Sequence, residues 1–457
     1  MFHRKKSLSF LLLFCSIFWI HAITPFKDGD KVIILGDSIT SGGEFIYWVQ
    51  AMYQLRQPGK IRLENAGISG DVASGGLARL GYDVLDKKPN RVFIMFGMND
   101  INLSLYAKGG TVLDEKRMKP LKNYENNLNK LCDRLKEAGV AVTLITPTPY
   151  NQYGKGNPST YNEAGLAAAA KIVRKIAKER GLEVVEFHIP MTEVLKKQPK
   201  IFPMRTDKVH PNALGHLLMA YYLCKEAGLD GRIAEVSIDA ADGKIKTANH
   251  AAVSDVKIKN ASGQNGTAGI SFKYAPERLP FIPNKKQHEG IDAMVPFTAD
   301  FNTEFLQISN LAEGKYKLSA NGAAIGTFTS ADLAKGINLA MLNTPSRKQA
   351  QKVFAQINII RGCFGRLRSV VQGDRFAKSQ NADLNDAESC CKAVDQWFKV
   401  RFIDKKGSNE KYYRNVITAY KKNKKQVPAI LKQLDAAYVK LYQESHPVSY
   451  TLELKKL

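Results

Sequence analysis

Between Asp30 and about Ala227, short runs rich in Val and Ile alternate with longer stretches whose apolar residues recur at helical spacing. This alternation restricts the fold more than any other feature of the chain. The strand candidates are residues 31–35, 61–65, 91–96, 140–145 and 182–187, with helical patterns such as 124–138 and 160–180 between them. Strands separated by helix-length segments pair in parallel through crossovers, because only antiparallel neighbours can be joined by a tight turn. Near-continuous apolar runs such as Val32-Ile33-Ile34-Leu35 suit strands covered on both faces. The pattern predicts a three-layer α/β/α sandwich around a parallel sheet, with its ligand crevice at the carboxyl ends of the strands.

At 457 residues the chain exceeds one ordinary core, and its texture changes twice more. Residues 233–345 hold stretches of alternating polarity, such as 305–309 and 315–319, punctuated by Gly and Asn, and Asn321-Gly322 between two such runs is a hairpin signal. We expect a small antiparallel β module there. Residues 346–445 return to helical spacing, with Trp397, Phe398, Val400 and Phe402 as core candidates, and residues 446–457 read as an edge strand returning to the β module. The sandwich would occupy residues 23–232.

Residues 1–22 read as a secretory signal that is cleaved. Arg4, Lys5 and Lys6 precede an apolar run, and Ala22 is a small residue at the cleavage position. That run is shorter than the roughly 20 apolar residues of a membrane span. The expectation is a secreted or periplasmic protein with no stable membrane span after cleavage. Export permits disulfides. Five cysteines follow the signal: Cys132 and Cys224 sit at helical apolar positions as buried thiols, while Cys363 could bridge to Cys390 or Cys391. No Cys or His spacing suits zinc, so neither a metal nor another cofactor is expected.

The formal charge is +24, and residues 345–457 carry 23 basic against 10 acidic side chains. Without stacking aromatics or a reader motif among these charges, nucleic acid is not the expected partner. A solvated helix face accounts for them, and an anionic polysaccharide or cell surface is a second reading.

Four short blocks carry the chemistry. Gly36-Asp37-Ser38 ends the first strand candidate and leads into a helical pattern, which puts Ser38 where unpaired helix N–H groups favour a developing oxyanion. Asn65-Ala66-Gly67 ends the second, with Gly67 able to bring its backbone N–H close to a ligand. Asn99, after the third, can offer a neutral amide N–H. About 170 residues beyond the serine, Asp207-Lys208-Val209-His210 supplies an acid and an imidazole three positions apart. A carboxylate at that spacing can hold one ring nitrogen while the other faces a serine hydroxyl. His216, on the following helical pattern, reads as structural or exposed.

Together these blocks resemble the SGNH, or GDSL-type, hydrolase superfamily of serine esterases, whose sandwich is flavodoxin-like. The resemblance covers roughly residues 30–231. It implies Ser38 as nucleophile, His210 as general base and Asp207 as its acid, with Ser38, Gly67 and Asn99 forming the oxyanion hole. It also implies a carboxylic ester substrate. With export and an added β module the chain resembles the multidomain SGNH proteins that remove acetyl groups from polysaccharides, which implies an O-acetylated polysaccharide or oligosaccharide as substrate. A lipid or small aryl or short-acyl ester is the alternative, and a non-catalytic carbohydrate-binding protein on the same fold is the rival from another class. Tyr150 and Tyr153, in the loop after a strand, and Asp37, beside the serine, are candidate substrate contacts; Tyr47, Trp48 and Tyr161 could add stacking walls or core.

Overall fold

Five parallel strands organise the first half of the chain: β1 (Lys31–Gly36), β2 (Arg62–Gly67), β3 (Arg91–Met95), β4 (Ala141–Ile145) and β5 (Glu183–Val185), in the order β2-β1-β3-β4-β5. The structure is a computed structural model describing residues 23–107, 111, 113–153, 161–197, 203–260, 267–282, 290–404 and 409–457. The signal-peptide expectation for residues 1–22 lies outside the described residues. Val32, Ile33, Leu35, Val92 and Phe93 are wholly buried, as strands covered on both faces require. The intervening helices are α1 (Ser38–Gly42), α2 (Glu44–Arg56), α3 (Ala73–Ala78), α4 (Leu80–Asp83), α5 (Glu115–Glu137), α6 (Ala164–Arg180), α7 (His188–Lys197) and α8 (Ala213–Glu226). Helix α2 packs on α8, while α5 packs on α3 and α6. The buried residues of α5, Leu121, Tyr124, Leu128, Leu131, Cys132 and Leu135, recur at three- and four-residue spacing, and Asp114 caps its start by accepting from Arg117 N at 3.0 Å.

The register decides where the loops meet. Gly36 pairs with Gly67 on one side and Met95 on the other, so β1, β2 and β3 end level. The chain passes from β1 to β2 on one side and then to β3 on the other, which opens a topological switch point at β1.

Beyond α8 the chain builds two further sheets. Strands β6 (Ala234–Asp239), β7 (Ile245–Asn249), β8 (Ala251–Asn260), β9 (Thr267–Pro276), β10 (Glu304–Ser309), β11 (Lys315–Ala320), β12 (Ala323–Thr329), β13 (Ile337–Asn338) and β14 (Tyr450–Lys456) form a four-stranded sheet β13-β10-β6-β7 and a five-stranded antiparallel sheet β12-β11-β14-β9-β8. The Asn321-Gly322 hairpin joins β11 to β12 with φ of 47° and 80° at its two central residues, the left-handed backbone such a turn needs. Two features differ from expectation. The first sheet contains a parallel pair, β6 with β10, made by a long crossover. The C-terminal strand is central rather than an edge: β14 lies between β11 and β9, with Leu452 and Leu454 buried.

Four helices, α9 (Pro345–Lys378), α10 (Ala387–Phe398), α11 (Glu410–Lys424) and α12 (Val427–Glu444), separate β14 from the rest of its sheet. The first half of α9 and the buried face of α12 share one hydrophobic core with the sandwich, where Phe354 meets Trp48 and Phe281 with ring centroids 6.1 and 5.3 Å apart. The second half of α9 forms a small separate core with α10 and α11. This division removes the expected disulfide. Cys363 belongs to the first core and Cys390 to the second, and all five described cysteines are buried free thiols. Two lysines of the basic run on α11 are held internally, Lys424 by Asp374 at 2.6 Å and Lys421 by Asp395 at 2.7 Å.

Candidate active site

Asp37 begins the site by ending β1. Its Oδ1 accepts from Ile39 N at 2.9 Å and so caps α1, leaving Ser38 as the first helical residue with an N–H that has no intrahelical acceptor. The Asp37 carboxyl is buried, and that burial, with Asp100 and Asp71 nearby, pushes its pKa up to about 7. Asp37 is therefore a cap beneath the serine and not an open substrate contact.

The loop before α8 delivers the imidazole. Arg205 N donates to His210 O at 2.7 Å, Lys208 N to Arg205 O at 2.9 Å, and Asn212 caps α8 through Gly215 N at 3.0 Å. Lys208 holds φ at 63°, which turns the chain tightly enough for Asp207 Oδ1 to accept from both Val209 N and His210 N at 2.9 Å. The other oxygen, Oδ2, lies 2.7 Å from His210 Nδ1, and His210 Nε2 lies 2.8 Å from Ser38 Oγ. Three residues spread over the chain thus form one continuous relay. Burial raises the Asp207 pKa, but the hydrogen bonds from His210 and Val209 outweigh it and hold the carboxyl below its usual range. The relay is open to solvent, with side-chain exposures of 33% for His210 and 47% for Asp207.

The two flanking strands bring different groups to the serine. At the end of β2, the Gly67 N–H donates to Asn65 Oδ1 at 2.8 Å, while Asn65 Nδ2 donates to Thr40 O at 2.6 Å. The Gly67 N–H is thereby consumed in locking β2 to α1. Its glycine is required for another reason: a Cβ there would stand 2.1 Å from Ser41 N. Three residues on, Gly70 is exposed with φ at 73°, and its N–H has no acceptor within the described residues. Sequence reasoning missed Gly70, although a second glycine before Asp71 was visible in the same turn. After β3, Asn99 is exposed and its Nδ2 donates one hydrogen to Asp71 O at 2.8 Å, leaving a second amide hydrogen free. Asp100 supports the loop by accepting from Ala73 N at 2.8 Å and Gly97 N at 3.0 Å.

The candidate aromatic walls are mostly core. Tyr47 and Tyr150 are buried, Tyr150 packs edge-on against Tyr161 at 5.8 Å, and Trp48 packs against Phe281 at 5.8 Å. Tyr153 is half-buried, its hydroxyl accepting from Gln152 at 2.9 Å. The Tyr150 loop abuts the imidazole loop through Asn151 N donating to Lys208 O at 3.0 Å. His216 stacks on Phe45 with the rings 3° from parallel, and burial pushes its pKa down to about 3, which makes it a neutral structural residue.

Known proteins resemble this chain in sequence and in fold. Residues 34–218 match the GDSL-like Lipase/Acylhydrolase family. The chain is 29% identical over 224 residues to an acetylxylan esterase of Geobacillus stearothermophilus, covering 44% of this chain and 95% of the relative. It is 27% identical over 202 residues to the thioesterase 1/protease 1/lysophospholipase L1 of Escherichia coli strain K12, covering 43% and 83%. The solved structure of a gut microbial diltiazem-metabolizing enzyme superposes with a TM-score of 0.82 at 26% identity, covering 96% of this chain and all of that one. Sheet topology and family match lead to one conclusion: residues 34–218 form a GDSL-type SGNH hydrolase domain, and the chain is a carboxylic ester hydrolase.

Proposed function

We propose that the chain is an exported serine esterase that removes O-acetyl groups from polysaccharide or oligosaccharide. The observation that carries the reading is the unbroken relay from Asp207 through His210 to Ser38, at 2.7 and 2.8 Å. In this reading His210 Nε2 takes the Ser38 proton as Oγ attacks the acyl carbon, and Asp207 holds the ring and stabilises the imidazolium. The negative charge that develops on the carbonyl oxygen meets the N–H groups of Ser38 and Gly70 and the free amide hydrogen of Asn99. We assign the glycine donor to Gly70 because the Gly67 N–H is already donated to Asn65. Nε2 then protonates the departing alcohol. Water, deprotonated by the same nitrogen, releases the acid and restores Ser38.

The acetyl preference draws support from the acetylxylan esterase relative, and export from the basic and apolar pattern of residues 1–22. A second reading, turnover of a small drug-like ester such as diltiazem, draws on the relative matched over nearly the whole chain. Acetate release from acetylated xylan, acetylated xylo-oligosaccharides, diltiazem and p-nitrophenyl acetate, measured for wild type and Ser38→Ala, tests both. Ser38→Ala is expected to abolish turnover and fluorophosphonate labelling with the fold intact. More than a few per cent residual turnover would reject Ser38 as nucleophile. Wild-type turnover of diltiazem without any of the acetylated glycans would transfer the assignment to the second reading.

A further inference from the structure

Asn99 borders a second feature, a cavity of about 420 Å³ between the loop after β3 and one face of α5. On α5, Lys116, Lys119, Asn123 and Asn127 follow one another at three- and four-residue spacing, so all four fall on the same face, and all line the cavity. The opposite wall carries Asn99 and Asn102.

The charges in this cavity are unbalanced. Neither Lys116 nor Lys119 has a carboxylate within ion-pairing distance among the described residues, whereas their neighbour Arg117 is paired with Asp114. The one carboxylate among the described lining residues is Asp100, which accepts from the backbone N–H groups of Ala73 and Gly97 and forms no ion pair with either lysine, so two cations face one anion. The cavity thus presents two ammonium groups and a row of amides beside a candidate oxyanion donor. Val72, Leu105, Pro120 and Tyr124 also line the cavity, and Lys116 and Lys119 are exposed, so both ammonium groups are open to an anionic ligand. Hydroxyl groups suit the amides, which donate and accept, and a carboxylate suits the ammonium groups.

We infer that this cavity receives the alcohol side of the substrate as an acidic sugar, a uronate carried on the acetylated glycan. The inference rests on the glycan reading above and specifies the class of glycan. Lys116 and Lys119 determine specificity: they bind the uronate carboxylate and take no part in proton transfer.

The test compares kcat/KM for two acetylated xylo-oligosaccharides, one bearing a glucuronate branch and one without, for the wild-type chain and for Lys116→Gln combined with Lys119→Gln. The ratio between substrates does not depend on the fraction of enzyme that is folded. The wild type is expected to prefer the uronate-bearing substrate by about tenfold, the size two partly solvated ion pairs supply. The preference should shrink in the double variant and with added salt. Equal wild-type rates on the two oligosaccharides, or a preference that survives in the double variant, overturns the inference. If neither oligosaccharide reacts while wild-type turnover of p-nitrophenyl acetate persists, the glycan assignment falls and the serine relay stands. Loss of p-nitrophenyl acetate turnover as well would count against the relay itself.

Discussion

Replacing Arg368 by Met tests how helix α9 is fastened to the sandwich. Arg368 is 5% exposed and Asp83, at the end of α4, is fully buried. The guanidinium forks onto the carboxylate, with Nη1 donating to Oδ2 at 2.7 Å and Nη2 to Oδ1 at 2.5 Å, across 285 residues of sequence. Asp83 also receives Arg79 Nη1 and, at 3.1 Å, Lys87 Nζ. Arg79 then reaches the site, donating to Gly36 O at 3.0 Å, Ala66 O at 2.8 Å and Asp71 Oδ2 at 2.8 Å.

Removing one partner of a buried pair costs about 3–5 kcal/mol. Asp83 keeps two cations in the variant, so the lower end, about 3 kcal/mol, applies. At 2–4 °C per kcal/mol for a domain of this size, the melting temperature should fall by about 6–12 °C at neutral pH. The pH dependence has a definite sign. Burial raises the Asp83 pKa, but Arg368, Lys87 and Arg79 overcome it and hold the carboxyl well below its usual range. Its contribution is therefore present above the unfolded value of about 4 and fades as the carboxylate is protonated below that. The gap between wild type and variant should narrow on acidification. Calorimetry at pH 7 and pH 3 measures both points. A shift under 1 °C at neutral pH, or a gap that widens in acid, would refute the reasoning.

Three further outcomes follow from the geometry. In the proposed oxyanion role the free amide hydrogen of Asn99 meets charge that develops only in the transition state, so Asn99→Ala should lower kcat by about 10²–10³ with little change in KM; an effect confined to KM contradicts that role. Gly67→Ala should be far more damaging to activity than Gly70→Ala, since a Cβ at Gly67 collides with Ser41 N at 2.1 Å while nothing stands within 4 Å of one at Gly70. The cost at Gly70 is left-handed strain of about 1–2 kcal/mol, so comparable kcat losses and melting shifts in the two variants would count against it. Burial lifts the Glu226 pKa to about 8, and this group weakens the folded state progressively between the unfolded value of about 4 and pH 8. Glu226→Gln should therefore lose less melting temperature than the wild type between pH 5 and pH 9, and parallel losses would dismiss the assignment.

Much of this protein is local and could be read without coordinates. A buried strand needs only consecutive apolar residues, so all five strands of the parallel sheet were visible in runs such as Val32 to Leu35. Ser38, Asn99 and Gly67 each lie within a few residues of a strand end, and Asp207 and His210 lie three apart, so their order identified the superfamily. The Asn321-Gly322 turn was equally local, because its left-handed backbone is a property of two residues.

Contacts across the chain decided the rest. Which of two glycines in one turn keeps a free N–H depends on where the Asn65 side chain points, and composition does not encode that direction. The exclusion of a disulfide came from the assignment of Cys363 and Cys390 to separate cores. Tyr150 looked like a sugar wall because loop residues after a strand often face solvent, yet packing against Tyr161 buries it. The C-terminal strand is central because it pairs with both β11 and β9, partners more than 100 residues earlier in the chain. Sequence by itself determined the sheet and the inventory of candidate reacting groups, since both follow from periodicity and turn chemistry over a few residues. Only the tertiary structure decided which donors remain free and how α9 holds the site, because buried charge is satisfied by partners hundreds of residues away.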